Sequence, residues 1–434
     1  MRSLLSPPPP DGLPRLLCGL AADGGQVGIH DHLSRWGALR LSHVGPGLID
    51  WIEQSGLVGH GGAWFPVATK WRSVRGRLLN RPVVVANGAE GEPLSSKDAL
   101  LLTRLPHLVL DGASLAAAAV GATRIVVYVP ERLVRSVRAA VADRQKLAID
   151  PVPMEILAAP DRFIAGQESS VVNAIEGRAA LPSFVDIRPV RQQGVGGRPT
   201  LVQNVETLAH VALIARFGPE WFRGIGPSEA PGTMLLTITG RWAGPRIIEA
   251  PLGAPLRSIL ELPDDQSSRF WGALLGGYGG GWVEMGTLLD LTLSEPAARE
   301  MGATLGAGIV ALLPRSTCPL VETAKVVRYL EQQSARQCGP CVNGLSEVAR
   351  LCEVLASSSQ WLPEGIKPIL ELCDLIEGRG ACRHPDGAAR FIRSALRVFG
   401  ADVKAHLEGR PCGGVRTAPP SSPRGRSYRR VGAR

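Results

Sequence analysis

The chain has 434 residues, of which 45% are hydrophobic and 20% charged, so packed domains are expected and disorder over most of the length is excluded. The net charge of +9 would suit a nucleic-acid partner, but seven arginines and no acidic residue lie between positions 409 and 434. Subtracting those seven charges leaves +2 for the rest of the chain. We therefore predict a basic, disordered tail at 408–434 and no nucleic-acid partner.

The sequence also argues against a membrane span and against export. The longest apolar stretch, 108–129, contains Asp111 and Arg124, and each charge would cost about 2.5–3.5 kcal/mol at the bilayer centre. Prolines occupy positions 7–10, where a signal peptide would need an apolar helix. A soluble, cytoplasmic protein is expected, in which the eight cysteines serve as thiols or metal ligands.

Residues 1–45 are rich in proline and glycine and give few signals of regular structure. From position 81 onward, apolar β-branched runs alternate with helical patterns. The predicted strands are 82–86, 123–128 and 153–158, and the predicted helices between them are 107–121 and 130–143. This alternation predicts an α/β domain with a parallel sheet. Ligands of such sheets bind beyond the carboxyl ends of the strands, which here means just after Ala86.

The second half of the chain changes in texture. Two more helices are predicted at 167–176 and 204–217, each followed by a glycine. Residues 233–240 and 246–250 alternate like strands, and 256–262 could form one short helix, which predicts a small β-rich domain at about 228–315. From position 318 to about 407, apolar residues recur three and four positions apart, as in a helical bundle.

Two loop segments combine features of ligand binding. Residues 59–66 read Gly-His-Gly-Gly-Ala-Trp-Phe-Pro, and such dense glycine lets a backbone approach a planar or phosphorylated ligand. Residues 87–93 place an amide and two carboxylates directly after the first strand, where they can bond a heterocycle or a ribose. Only six of the 48 basic residues are lysines, and two of the six, Lys70 and Lys97, adjoin these segments. A tight turn and a solvated acidic turn are the alternatives.

Two further segments place polar groups at helix starts. Glu168 begins the predicted helix after 163–167, where the helix dipole stabilises a carboxylate. Residues 199–207 bring Asn204 and its neighbours to another helix N-terminus, a site suited to a phosphate. Ordinary helix capping explains the Glu168 segment equally well, and for residues 199–207 alone an ordinary N-cap is the favoured explanation.

The last segment is Cys338-Gly-Pro-Cys341, with Cys382 further along the chain. A Cys-x-x-Cys pair can form a redox dithiol, a zinc site or an iron–sulfur site. The dithiol alternative lacks its usual context, because the pair follows a helical pattern at 321–333 and not a strand.

In this order, the five segments resemble the NADH-oxidising flavoprotein subunit of respiratory complex I, a module also found in NAD-linked hydrogenases and formate dehydrogenases. Residues 55–66 are similar to the family's Ser-Gly-Leu-Arg-Gly-Arg-Gly-Gly-Ala-Gly-Phe-Pro, and residues 87–98 to its Asn-Ala-Asp-Glu-Gly-Glu-Pro-Gly-Thr-x-Lys-Asp. Residues 163–169 are similar to its Tyr-Ile-Cys-Gly-Glu-Glu-Thr, and residues 204–208 are identical to its Asn-Val-Glu-Thr-Leu. The resemblance covers about 45–407.

The resemblance implies an architecture. After an N-terminal segment at 1–45, it implies a Rossmann-like flavin-binding α/β domain at 46–227 and a β-grasp domain of the soluble-ligand-binding type at 228–315. A four-helix bundle at 316–407, holding one [4Fe–4S] cluster, and the tail at 408–434 would complete the chain.

The resemblance also implies a reaction and its residues. Hydride would pass from NAD(H) to FMN, and single electrons would then pass through the cluster to a ferredoxin-like or small iron–sulfur protein, as within a redox complex. NADH would lie near Phe65, with Glu92 and Glu168 as catalytic residues, and the cluster would be held by Cys338, Cys341 and Cys382. The implied FMN contacts are Gly59, Gly61, Gly62, Lys70, Asn87, Glu90, Gly166, Asn204 and Thr207.

Departures from the family pattern bear on the cluster. Ala335 stands where the family has the first cysteine of Cys-x-x-Cys-x-x-Cys. One iron of a cubane would then need a non-thiolate ligand or a relocated cysteine, or the site would hold [3Fe–4S] or nothing. The candidates for that ligand are water, Ser334, His384, Cys352, Cys373 and Cys412.

Other departures affect the nucleotide side more than the flavin side. Trp64, Ala89, Gln167 and Ser73 replace a Gly, an Asp, a Glu and an aromatic residue, and residues 186–189 replace a Lys-Pro-Pro-Phe element. Because the flavin contacts are kept better than the nicotinamide contacts, the sequence supports FMN binding more strongly than NADH binding. Two other functions stay open: a non-catalytic scaffold or ligand-sensing relative, and a thiol redox protein that uses Cys338 and Cys341.

Overall fold

The structure is a computed structural model, and it describes residues 12–39, 47–75, 80–183, 190–357, 364–410 and 412. The predicted basic tail beyond Cys412 and the departure at 186–189 lie outside these residues.

The first sheet is parallel and has four strands in the order β3-β2-β1-β4. The predicted α/β class with a parallel sheet is thus confirmed. Valines of β1 and β2 are buried on both faces, as expected when helices cover both sides of a sheet. The register places Asn87 next to Asn204 at the carboxyl ends of the two strands. The strands are β1 (Val83–Asn87), β2 (Arg124–Pro130), β3 (Met154–Ala159) and β4 (Thr200–Asn204).

Nine helices of the described chain accompany this sheet. The helix that begins at Pro106 and the helix that begins at Val205 approach each other closely at Gly112, where a Cβ atom would lie 2.0 Å from the Leu208 carbonyl oxygen. Only glycine permits that contact. The helices are α1 (Ile29–Trp36), α2 (Leu48–Ser55), α3 (Val67–Val74), α4 (Lys97–Arg104), α5 (Pro106–Val120), α6 (Glu131–Lys146), α7 (Glu168–Ile175), α8 (Val205–Phe217) and α9 (Pro219–Arg223).

The helix α1 lies in the N-terminal stretch that gave few sequence signals. It is tied to the sheet domain by Asp111, whose carboxylate pairs with His32 at 2.8 Å, Arg144 at 2.8 Å and Arg216 at 2.5 Å. The two arginines, together with the hydrogen bond to His32, hold the pKa of Asp111 well below its usual value despite burial, which acts in the opposite direction. Trp36 packs in the same core, so this stretch is an integral part of the first domain.

The second sheet has five strands in the order β6-β5-β9-β7-β8. The first and last strands, β5 and β9, pair parallel in its middle, while the other pairs are antiparallel. This is a β-grasp arrangement. Its strands are β5 (Thr233–Thr239), β6 (Arg246–Pro251), β7 (Phe270–Leu275), β8 (Gly281–Glu284) and β9 (Ile309–Pro314), and its helices are α10 (Leu256–Leu260), α11 (Asp264–Ser267), α12 (Met285–Asp290) and α13 (Glu295–Glu300).

The remaining residues form a helical bundle around a core that includes Val327, Leu345 and Phe391. A π-helical turn, Pro340–Leu345, precedes α15 and carries Cys341. No helix of the described residues is both long and apolar enough to cross a membrane. The bundle helices are α14 (Pro319–Gln333), α15 (Ser346–Ser357), α16 (Lys367–Ile376), α17 (His384–Val398) and α18 (Gly400–Leu407).

Candidate active site at the carboxyl ends of the first sheet

A cleft of about 670 Å³ opens beyond the carboxyl ends of β1 and β4. Its walls come from loops of the first sheet, from the β-grasp domain and from the bundle. This is where an open parallel sheet binds its ligands. Seven of the twelve predicted catalytic and cofactor-binding residues line it: Gly61, Gly62, Asn87, Glu90, Glu92, Gly166 and Asn204.

Two asparagine side chains fix the floor of the cleft. The Asn87 amide donates to the Gly166 carbonyl oxygen at 2.8 Å. The Asn204 amide donates to the Asp98 carboxylate at 2.8 Å, while its Oδ1 accepts from the backbone N–H of Glu206 and caps α8. Each asparagine therefore joins a strand end to a neighbouring loop or helix.

The two glutamates of the acidic loop serve different partners. The Glu90 carboxylate accepts from the backbone N–H groups of Asp98 at 2.9 Å and Ala99 at 3.0 Å, so it stabilises the first turn of α4. The Glu92 carboxylate accepts from the backbone N–H of Tyr278 at 2.9 Å, which ties this loop to the β-grasp domain. Glu90 has a positive φ of 43°, an uncommon conformation outside glycine.

Glycines give the cleft flat backbone walls. A Cβ atom on Gly61 would lie 3.1 Å from the Asn204 Cβ, and one on Gly91 would lie 2.3 Å from the Phe163 carbonyl oxygen. Gly62 has a φ of +106°, which side chains rarely adopt. Side chains at these positions would fill or distort the cleft, so the residues present fit a flat ring system such as that of FMN.

The other five predicted site residues do not line the cleft. The Lys70 ammonium pairs with the Glu168 carboxylate and donates to the Val202 carbonyl oxygen at 2.5 Å. Glu168 does not line the cleft itself, but its neighbour in the chain, Gln167, does. The Phe65 ring is 41% exposed and lies beside the Arg191 guanidinium. The backbone N–H of Gly59 donates to the Phe65 carbonyl oxygen. The Thr207 hydroxyl accepts from the backbone N–H of His60 at 2.9 Å.

The sequence departures have local structural roles. Trp64 adopts a φ of 55°, and its indole N–H donates to the Gly306 carbonyl oxygen at 3.2 Å, so the ring contacts the β-grasp domain. Gln167 caps α7 by accepting from the backbone N–H groups of Ser169 and Ser170. Ala89 is buried, with its Cβ 3.5 Å from the position of a Cβ on Gly166.

Much of the opposite wall was not anticipated from the sequence. The Arg390 guanidinium donates to the Gly279 carbonyl oxygen at 2.8 Å, so the bundle and the β-grasp domain meet at the cleft. The glycine-rich run at 276–281 was a usable signal, because it is as dense as the run at 59–62. The residues contributed by these two domains are Gly276, Gly279, Glu295, Arg299, Gly302, Ala303, Thr304, Gly306, Ala307 and Arg390.

A buried polar cluster lies beneath the cleft. The Lys97 ammonium is 1% exposed, pairs with the Glu206 carboxylate and donates to the His60 carbonyl oxygen at 2.9 Å. Burial raises the pKa of Asp98 to about 7 and lowers the pKa of His60 and His210 to about 3. The two imidazoles are therefore neutral at ordinary pH and lie with their ring centroids 4.9 Å apart.

The structure brings the three predicted cluster ligands together in the bundle. The thiols of Cys338 and Cys341 are hydrogen-bonded, and burial with the neighbouring thiols raises the pKa of Cys341 to about 12. Burial, and to a lesser degree proximity to Cys338, also raises the pKa of Cys382. Three thiols fit three of the four ligand positions of a cubane.

The alternatives for the fourth ligand differ in their surroundings. Ser334 follows α14 directly, and its hydroxyl is buried with no hydrogen-bond partner among the described residues. His384 Nε2 is engaged with the Leu330 carbonyl oxygen at 2.8 Å. Cys352 lies beside Cys373, and Cys412 lies beside Cys318. Ser334 is thus the side chain with a free oxygen next to Ala335.

Comparisons with known proteins agree with this geometry. Residues 52–213 match the family described as the Nuo51 FMN-binding domain, and residues 322–406 match the NADH-ubiquinone oxidoreductase-F iron-sulfur binding region. Over these two regions the chain is similar to the complex I NADH-binding flavoproteins. The resemblance predicted from the five segments is thereby confirmed.

Individual members of this flavoprotein family are similar over most of their length. An NADH-quinone oxidoreductase subunit of Rhizobium meliloti is 29% identical, over 84% of this chain and 90% of that protein. An NADH-quinone oxidoreductase subunit of Mycobacterium tuberculosis is 29% identical, over 88% of this chain and 90% of that protein. A chain of an NAD⁺-reducing [NiFe]-hydrogenase matches with a TM-score of 0.77 and 26% identity, over 85% of this chain. The present chain spans 64% of that hydrogenase chain.

Proposed function

We propose that this flavoprotein is an FMN-dependent oxidoreductase that takes electrons from NAD(P)H and passes them through an iron–sulfur cluster to a protein acceptor. The observation that carries the proposal is the cleft beyond β1 and β4, where four separate sequence segments of the family pattern converge between glycine walls. The family matches to an FMN-binding domain and an iron–sulfur region support the same reaction.

FMN supplies hydride acceptance and single-electron release when it is bound. The chain's own residues would bind and orient it. The backbones of Gly61, Gly62 and Gly166 offer close, flat approach, and the amides of Asn87 and Asn204 tie the ends of β1 and β4 to Gly166 and to Asp98. Gly59, Phe65, Lys70 and Thr207 would support the site from outside the cleft, through the contacts described above.

Glu92 and Glu168 are the proposed catalytic residues. Glu92 lines the cleft and is held in place by the backbone N–H of Tyr278. Glu168 lies next to the lining residue Gln167 and is oriented by the Lys70 ammonium. Both carboxylates would orient the nicotinamide substrate beside the flavin.

Electrons would leave through the bundle. Cys338, Cys341 and Cys382 would hold the cluster, with the Ser334 hydroxyl or water at the iron that lacks a thiolate. A ferredoxin-like or small iron–sulfur protein would accept the electrons. The named relatives are subunits of NADH-quinone oxidoreductases, and we extend to this chain the role of a subunit in a cytoplasmic redox complex.

Two variants test the site assignment. Lys70→Ala should lower FMN occupancy, because the Lys70 ammonium joins α3 to β4 and to Glu168. Glu168→Gln should slow flavin reduction by NADH while occupancy is kept. FMN per chain is measured from the visible spectrum, and reduction by stopped-flow bleaching of the flavin band. Lys146→Ala, at an exposed pair with Asp143, is the matched control. Wild-type occupancy and wild-type reduction in both variants would refute the assignment.

A non-catalytic scaffold or ligand-sensing relative is the second candidate, because Ala335 and Gln167 remove a cluster ligand and a site carboxylate of the family pattern. The visible spectrum of the purified full chain distinguishes the two candidates. Flavin absorption, as isolated or after incubation with FMN, supports the enzyme. A chain that stays colourless after that incubation supports the scaffold.

A further inference from the structure

A second group of metal-ligating side chains lies where the bundle begins and ends. Cys318 is the residue before α14, His406 lies in the last turn of α18, and Cys412 follows shortly after that helix. The ligand atoms of these three side chains all lie within 4.8 Å of one another. Cys318 and His406 are buried, and Cys412 is half-buried. None of the three belongs to the cleft or to the proposed cluster site.

The spacing of the ligand atoms suits a tetrahedral ion. The Cys318 sulfur and the His406 Nε2 are 3.6 Å apart. A zinc ion bound to sulfur at about 2.3 Å and to imidazole nitrogen at about 2.05 Å, with a tetrahedral angle between them, places those two atoms about 3.6 Å apart. The observed separation, at which the Cys318 thiol and His406 Nε2 can share a hydrogen, is also the separation expected across a shared zinc ion.

The far side of the imidazole supports the same assignment. His406 Nδ1 lies 2.9 Å from the Leu355 carbonyl oxygen, so Nδ1 carries the hydrogen and donates it. The lone pair is then on Nε2, which faces the Cys318 sulfur. Histidine ligands of metals are commonly oriented by such a hydrogen bond from the other ring nitrogen to a backbone carbonyl. An imidazole oriented in this way, together with two thiol groups, is a donor set that selects zinc over magnesium or calcium.

We propose that Cys318, His406 and Cys412 bind a zinc ion. Binding forms two zinc–sulfur bonds and one zinc–nitrogen bond, and it releases the two thiol protons to solvent; no electron is transferred. Three protein ligands leave one position, which water would take. The ion would join the start of α14 to the end of α18 and to Cys412.

The test measures zinc in the full chain with its cofactors in place. Wild-type protein is incubated with one equivalent of ZnCl₂, passed through a metal-free desalting column and analysed by mass spectrometry of the elements. Wild type should retain about one zinc more per chain than Cys318→Ser, Cys412→Ser or His406→Ala. His406→Cys should restore retention, because it replaces one zinc ligand by another.

Two controls separate this site from the other thiols. Cys352→Ser alters a buried cysteine of the same bundle and should keep the zinc. Cys382→Ser removes a proposed cluster ligand, so it should lower iron and leave this zinc unchanged. Equal zinc in wild type and in the Cys318 and Cys412 variants would overturn the proposal. A Cys318–Cys412 disulfide, found in the unreduced peptide map of zinc-incubated protein, would also overturn it.

Discussion

Replacing Lys97 by methionine probes the buried polar cluster beneath the cleft. The Lys97 ammonium pairs with the Glu206 carboxylate, donates to the His60 carbonyl oxygen at 2.9 Å and lies 3.6 Å from an Asp98 oxygen. In Lys97→Met, the fully buried Glu206 would keep the Leu235 N–H at 2.7 Å but would lose its cation. Removing one partner of a buried ion pair costs about 3–5 kcal/mol, so the free energy of unfolding should fall by that amount.

Urea denaturation of the full chain, followed by circular dichroism, measures this loss. Adding Glu206→Gln to Lys97→Met should recover part of the stability, because the unpaired buried carboxylate is removed. Lys146→Met is the matched control, since its ion pair is on the surface and its loss should leave the unfolding midpoint nearly unchanged. A decrease below about 1 kcal/mol for Lys97→Met would refute the reasoning that this pair neutralises the cluster.

Three further predictions concern the cluster, the cleft and the pH dependence of stability. Ala335→Cys should raise the iron content per chain by completing the thiol set, and unchanged iron in a colorimetric assay would show that this site is not built for metal. Gly91→Ala should lower FMN occupancy, because its Cβ would lie 2.3 Å from the Phe163 carbonyl oxygen; Gly286→Ala, where nothing lies within 4 Å, should not. Burial raises the pKa of Asp98 from 3.8 to about 7. Between these two pH values the folded chain keeps a proton on Asp98 that the unfolded chain releases. The free energy of unfolding should therefore decrease as pH rises from about 4 to 7. Asp98→Asn should reduce that loss in urea midpoints measured across the range, and an unaltered slope would contradict the prediction.

Local sequence signals were sufficient for most of the first sheet. The strands β1 and β2 are mainly apolar runs, and burial on both faces explains why those runs are easily recognised. The strand β3 lies at the sheet edge and is only partly buried, but its sequence is still largely apolar. The strand β4 has the same length as β1, and it was missed because it runs directly into α8. Asn204 is both its last residue and the cap of that helix, so the polar end of the strand has the sequence pattern of a helix start.

In the candidate site, too, local sequence signals identify some residues and not others. Residues such as Asn87 and Gly61 belong to segments whose composition alone indicates a ligand loop, and they do line the cleft. Thr304 and Arg390 also line it, but they reach it only because the β-grasp domain and the bundle pack against the first domain. No periodicity or spacing within their own segments predicts that packing. Lys70 was predicted from its segment but does not line the cleft, because its ammonium bonds Glu168 and the Val202 carbonyl oxygen at the edge of the site.

The hydrogen bonds of Glu92 to Tyr278 and of Trp64 to Gly306 cross between the first domain and the β-grasp domain at the mouth of the cleft. A molecule bound there contacts the first domain and the β-grasp domain at once, so its binding free energy also opposes the separation of the two domains. Calorimetric heating should therefore show the two parts melting together when the cleft is filled and at separate temperatures when it is empty. Occupancy would thus set how cooperatively the chain unfolds, and a thermogram could report the loading of the site without any measurement of turnover.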